Sequence, residues 1–171
     1  TSPAIAPSNV TVHANTFLDA SMNCLNVCGT SHTISSNWFE KTSNLVANPD
    51  SDGDLLTISA NNCRFIYNYA TNWSRASALA HCDLIQAFAA SGGYATNFLI
   101  EGNKFVNCVS TQIGNIEDQG VAAAVSHWKW INNLWANVDA KMSIYAPYFS
   151  FYNNTFYRSG LNSGSPIIFD N

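Results

Sequence analysis

Charge is the scarcest commodity in this chain of 171 residues: only 11% of it is Asp, Glu, Lys or Arg, well under the roughly 25% of an ordinary soluble domain. Seven basic residues are scattered along a chain whose net charge is −4. They form no basic stripe, which excludes nucleic acid as an expected partner. No apolar run approaches the roughly 20 residues needed to span a bilayer, so no membrane contact is expected. The first residues, TSPAIAPSNV, lack the basic-plus-apolar signature of an export signal. An exported form would be one from which the signal had been removed. Cys24, Cys28, Cys63, Cys82 and Cys108 are odd in number and show no zinc-like spacing. Cys24 and Cys28 stand about 13 Å apart on a strand, too far for a disulfide. The cysteines therefore read as small buried apolar side chains. Sequons at Asn9, Asn72 and Asn153 are as many as chance supplies in so Asn-rich a chain.

What is abundant is asparagine, and it recurs inside a phrase. VHANTF, ISSNWF, IEGNKF and FYNNTF share an apolar residue, two small or polar residues, an asparagine, any residue and a large apolar residue. Six copies fit, with asparagines at Asn15, Asn37, Asn61, Asn103, Asn133 and Asn154. The steps between them are 22, 24, 42, 30 and 21 residues. The shortest is too short for a propeller blade and suits one turn of a solenoid. Around each asparagine the side chains alternate with period two, which indicates strands. Inward slots fall three before the asparagine (Val12, Ile34, Ile58, Ile100, Trp130, Phe151) and two after it (Phe17, Phe39, Cys63, Phe105, Trp135, Phe156). The asparagine itself reads as a corner between strands, chosen for tolerance of the left-handed backbone and for an amide that bonds its stacked equivalents. A second series, CLNV, NLVAN, HCDLIQ, GVAAAV, KMSIYA and PIIFDN, supplies a third strand per turn.

Three short strands per turn with an Asn corner resemble the right-handed parallel β-helix of the pectate lyase-like superfamily. The resemblance covers nearly the whole chain. It implies an all-β solenoid of about six coils with an asparagine ladder, a single domain over residues 1–171 that is a segment of a longer chain. It further implies a secreted protein that acts on or binds an extracellular polysaccharide. That fold carries lyases and hydrolases as well as tailspikes, adhesins and ice-binding proteins, so both catalytic and non-catalytic readings stand. The paired aspartates, Gly-His-Gly and Arg-x-Lys of the polygalacturonase branch are absent.

Candidate site residues cluster in the longest step. Insertions at 68–80 and 87–96 flank HCDLIQ, and residues 110–120 read as a loop of the next coil. If Cys82 and Leu84 face inward, His81 and Asp83 share an exposed face about 7 Å apart. There an imidazole oriented by a carboxylate is a candidate general base. Gln86 is the expected polar contact, with Trp73 and Lys141 as cleft walls. Trp38, just after a corner, is also free to stack on a sugar ring, whereas Trp128, Trp130 and Trp135 fall in core slots. In NPDSDGDLLTI, Asp50, Asp52 and Asp54 around Gly53 resemble an acidic calcium loop without its closing Glu. Calcium is therefore the one cofactor expected.

Overall fold

The computed structural model describes residues 7–20, 23–41, 53–73, 82–88, 94–117, 125–145, 147–158 and 167–169. These hold twenty strands and no helix. The chain begins with β1 (Thr11–His13) and β2 (Thr16–Leu18), then β3 (Leu25–Thr30), β4 (Thr33–Ser35) and β5 (Trp38–Glu40). β6 (Leu56–Asn61), β7 (Arg64–Ile66) and β8 (Tyr69–Thr71) follow. Next come β9 (Asp83–Phe88), β10 (Ala95–Thr96), β11 (Leu99–Glu101) and β12 (Lys104–Val106). β13 (Val109–Glu117), β14 (Val125–Ser126), β15 (Lys129–Ile131) and β16 (Leu134–Ala136) repeat that set. β17 (Asp139–Tyr145), β18 (Ser150–Tyr152), β19 (Thr155–Tyr157) and β20 (Ile167–Phe169) complete it.

Every pairing is parallel, and three sheets hold six strands each: β1-β4-β7-β11-β15-β18, β2-β5-β8-β12-β16-β19 and β3-β6-β9-β13-β17-β20. A short fourth sheet joins β10 to β14. Each strand bonds only to its counterparts one repeat away, which is the arrangement of a solenoid. The middle residue of each three-residue strand points inward. One column runs Val12, Ile34, Phe65, Ile100, Trp130, Phe151, and its partner Phe17, Phe39, Ala70, Phe105, Trp135, Phe156. The third sheet contributes Leu25, Leu56, Ile85, Gly114, Met142. Aromatic rings stack along these columns, as Phe17 on Phe39 at 4.8 Å and Trp135 on Phe156 at 4.8 Å. Gly114 is the exception that makes the others fit, because a Cβ there would lie 2.9 Å from the Trp130 ring.

Three columns of left-handed residues make the bends. Ala14, Ser36, Tyr67, Gly102, Asn132 and Asn153 turn the chain from the first sheet to the second. Asp19, Asn72, Asn107, Asn137 and Arg158 follow the second-sheet strands, and Asn9, Ser31, Asn62, Asn97, His127 and Tyr148 precede the first-sheet strands. The asparagines of the repeated phrase are not themselves left-handed; each follows the residue that is. Their role is to bond along the stack. The backbone N–H and Nδ2 of Asn15 both donate to Asn37 Oδ1, and Asn37 donates likewise to Asn68, Asn68 to Asn103, Asn103 to Asn133 and Asn133 to Asn154, at 2.8 to 3.1 Å. The second amide proton goes to a backbone carbonyl, such as Phe65 O from Asn103 at 2.8 Å.

This series corrects the expected frame at one position. Asn68, not Asn61, stands between Asn37 and Asn103, so the separations are 22, 31, 35, 30 and 21 residues. ISANNC fits the phrase by composition but is the end of β6, where Asn61 Oδ1 accepts from the N–H and hydroxyl of Thr96. The true copy, FIYNYA, puts Ala70 in a slot that elsewhere holds Phe or Trp. The expected loop 110–120 is likewise strand β13 through Glu117, whose Gly114 stands in the third-sheet column; residues 118–124, with most of GVAAAV, lie outside the described residues. Among the cysteines, all free, Cys63, Cys82 and Cys108 are buried as expected, whereas Cys28 is exposed.

Candidate functional site

The third sheet begins at a buried polar knot rather than at an open cleft. Asp54 immediately precedes the entry to β6, and Asp83 opens β9; both are fully buried. The N–H of Asp83 donates to Asp54 Oδ1 at 2.7 Å, and Leu55 N–H returns a bond to the Asp83 carbonyl at 3.0 Å. Thr57 Oγ1 donates to Asp54 Oδ2, Asn23 Nδ2 to Thr57 Oγ1, and Asp54 N–H to Asn23 Oδ1. The Gly53 carbonyl accepts both the Trp73 indole N–H at 2.9 Å and the Cys82 thiol at 3.1 Å. Lys41 completes the knot. It occupies the second-sheet corner, but without the left-handed backbone of its neighbours in the column; it is buried, and its ammonium lies 5.3 Å from the centre of the Trp73 ring. Gly53 has no Cβ for a reason, since one would meet Lys41 Nζ at 3.2 Å.

Burial sets the chemistry of the thiols here. Desolvation pushes Cys82 up to about 12, with Asp54 and Asp83 adding to the rise and Lys41 opposing it. Cys24 is raised to about 11 by burial, again opposed by Lys41, and Cys108, also by burial, to about 12. At neutral pH these sulfurs are protonated and are not nucleophiles.

These positions revise the expected site. Asp83 shares its face with Ile85 and Ala87 and is buried, so the register is one residue off from the reading that placed it in solvent. His81 lies outside the described residues. Gln86 is partly exposed, and its backbone stands in register with Thr57 and Asn115. The backbones of Asp83, Gln112 and Lys141 do stand abreast on β9, β13 and β17, beside an irregularity in the β13 register. Trp73 is fully buried and acts as a post inside the knot, not as the wall of a cleft. Asp50 and Asp52 lie outside the described residues. Asp54 has both oxygens turned to Asp83 and Thr57, and no group of three or more His, Cys, Asp or Glu side chains suited to a metal occurs among the described residues. A hollow lined by Val10, Val12, Leu25, Val27, His32 and Ile34 opens at the β1–β3 end and contains none of the expected site residues.

The open chemistry lies on the outer face of the second sheet. Trp38, the first residue of β5, is 42% exposed and stacks on Tyr69 of β8 with ring centres 4.4 Å apart. Its indole N–H donates to Glu40 Oε2 at 3.0 Å, and Asn72 Nδ2 reaches Glu40 Oε1 at 3.4 Å. The indole is thus fixed by a neighbouring ring and by a carboxylate two residues on, which the strand places on the same face. Alternation makes Glu40 legible from the stretch NWFE. Tyr69 was hidden, because recognising it requires the frame in which it follows Asn68 as Trp38 follows Asn37.

Comparison of the chain with protein-family models, with curated proteins and with solved structures finds no match in any of the three.

Proposed function

We propose that this chain is a glycan-binding segment of a right-handed parallel β-helix, of six coils held by an asparagine ladder and akin to the pectate lyase-like superfamily, that docks on an extracellular polysaccharide without cleaving it. One observation carries the reading: an exposed indole, held in one orientation by Tyr69 and Glu40 on a rigid parallel sheet. Aromatic rings that present a flat apolar face beside a hydrogen-bonding edge suit pyranose rings, which pair apolar C–H faces with hydroxyl rims. Preorganisation matters as much as the ring itself, because a side chain already fixed loses little entropy on binding. The reading with lyase or hydrolase chemistry places catalysis on His81 and Asp83, and the burial of Asp83 weighs against that pair as an exposed acid–base site.

The test is retention of the protein on a panel of insoluble polysaccharides, comparing wild type with Trp38→Ala, together with analysis of released sugars. Retention that depends on Trp38 with no release of oligosaccharide is the expected result. Sugar release by the wild type would overturn the non-catalytic reading, and retention equal in both proteins would remove Trp38 from the site.

A further inference from the structure

The second-sheet row through Trp38 runs Thr16, Trp38, Tyr69, Lys104, Leu134, Thr155 in strict register. Neighbouring strands of such a sheet are about 4.8 Å apart, so Tyr69 covers one face of the indole. The other face looks toward Thr16, an exposed residue whose side chain is too small to cover it. The stack therefore stops one ring short: there is a slot, one strand wide, floored by Thr16 and walled by the free face of Trp38.

Among the described residues, the charge nearest that slot is negative. The Glu40 carboxylate stands 3.0 Å from the indole nitrogen, and the backbone N–H of Asp19, the corner residue after Leu18, donates to the Glu40 carbonyl at 2.8 Å. Lys41, next in the chain, is turned inward onto Trp73 and is buried. The nearest exposed cation in the row, Lys104, is three strands from Thr16, about 14 Å, and two from Trp38, about 10 Å, comparable with the Debye length of about 10 Å at 0.1 M salt, whereas Glu40 bonds the indole itself. An indole face also attracts cations through its quadrupole. We infer that the Thr16–Trp38–Glu40 slot takes an amine-bearing pyranose, its C–H face on the indole and its ammonium at Glu40, and that it rejects uronates. This rests on the glycan-binding reading above and narrows it to a substrate class.

The experiment is a titration by calorimetry with three soluble probes of matched length: a β-1,4-linked glucosamine oligomer, its N-acetylated form and an α-1,4-linked galacturonate oligomer. Each is run at low and at high salt. The expected order is glucosamine tightest and galacturonate undetectable. Trp38→Ala should weaken the glucosamine oligomer about tenfold or more. Glu40→Gln, which keeps an acceptor for the indole, should weaken it two- to fivefold at low salt while leaving the acetylated oligomer unchanged. Thermal melts of both variants verify that they are folded, and Trp38→Phe, which keeps a ring, should retain most of the binding. Binding of the acetylated or galacturonate oligomer that depends on Trp38 and equals or exceeds that of the glucosamine oligomer would overturn the amine assignment and leave the glycan site standing. Glucosamine binding indifferent to Trp38, or no binding of any probe, would overturn the slot, and the latter would count against the glycan reading as well.

Discussion

Asparagine does two different jobs in this molecule, at two different bends of the repeat. Asn37, Asn68, Asn103 and Asn133 are buried or nearly so, have ordinary negative φ, and use every polar atom of the amide. Asn72, Asn107 and Asn137 are exposed, left-handed, and make at most weak or solvent-facing side-chain bonds, such as Asn137 Nδ2 to Asn107 Oδ1 at 2.9 Å. The first group is selected for what its side chain bonds, the second for what its backbone tolerates. Residue frequency alone does not separate them; only the physical demand at each position does.

Substitution at the two kinds of position should break that symmetry sharply. Asn103→Ala removes acceptors for Asn68 N–H and Nδ2 and the donor to Phe65 O. With each orphaned buried group costing about 1 to 3 kcal/mol, a loss of at least ~3 kcal/mol is expected in a denaturant melt, and Asn103→Gly should be no better. Asn107→Ala should cost only about 1 kcal/mol, the penalty of a left-handed Cβ, and Asn107→Gly should be close to neutral. Equal losses at the two sites would dissolve the distinction.

A test of intermediate size falls at the corner itself. A Cβ on Gly102 would sit within 2.5 Å of the exposed Tyr67 ring on backbone at φ +64, so Gly102→Ala should cost about 1 to 2 kcal/mol. Replacing Tyr67 by Asn in the same chain should recover the steric part and leave the backbone part. Full recovery, or none, would show that one of the two terms is missing.

The buried knot at Gly53 offers a contrast with these corners that is read by pH. Cys82 and Cys108 are raised to about 12 and Cys24 to about 11 from the ordinary thiol value of 9.0, all by burial. Above pH 9 the unfolded chain has released these protons while the folded chain still binds them, so stability is full below pH 9 and falls as pH rises toward 12. The melting temperature should drop progressively across that window. At pH 8, a thiol reagent should label the exposed Cys28 fastest and Cys82 and Cys108 only on unfolding; rapid labelling of all five would contradict the burial.

How far the sequence speaks follows from these same residues. Period-two alternation around a repeated asparagine was enough for parallel strands stacked in turns, because five of the six copies keep a large apolar residue on each side of the corner. It failed at Asn68, where Ala70 fills the inward slot and a decoy, ISANNC, offers better composition. From that slip followed an overlong coil, whereas the loop where β13 runs came from reading GVAAAV as the third strand, and the register at Asp83 from taking Cys82 and Leu84 as the inward pair. A strand whose inward face carries Asp and whose outward face carries Leu84, itself buried, inverts the pattern on which alternation depends. The site departed most from expectation, since three of its expected members, Asp83, Trp73 and Asp54, are interior. What remained legible was Trp38, one residue past a correctly placed corner.

Gly114 carries a lesson about modularity. Its empty inward position on the third sheet is occupied by the Trp130 ring from the first sheet of the same core, so two stretches of chain sixteen residues apart share one volume. A repeat protein is often treated as beads that can be cut, duplicated or shuffled at will. Here a cut between β13 and β15 would part an interlocked pair: a duplication that copies Trp130 without its glycine would overfill the lumen, and one that copies the glycine alone would leave a void. Any engineered lengthening of this solenoid has to move the two together.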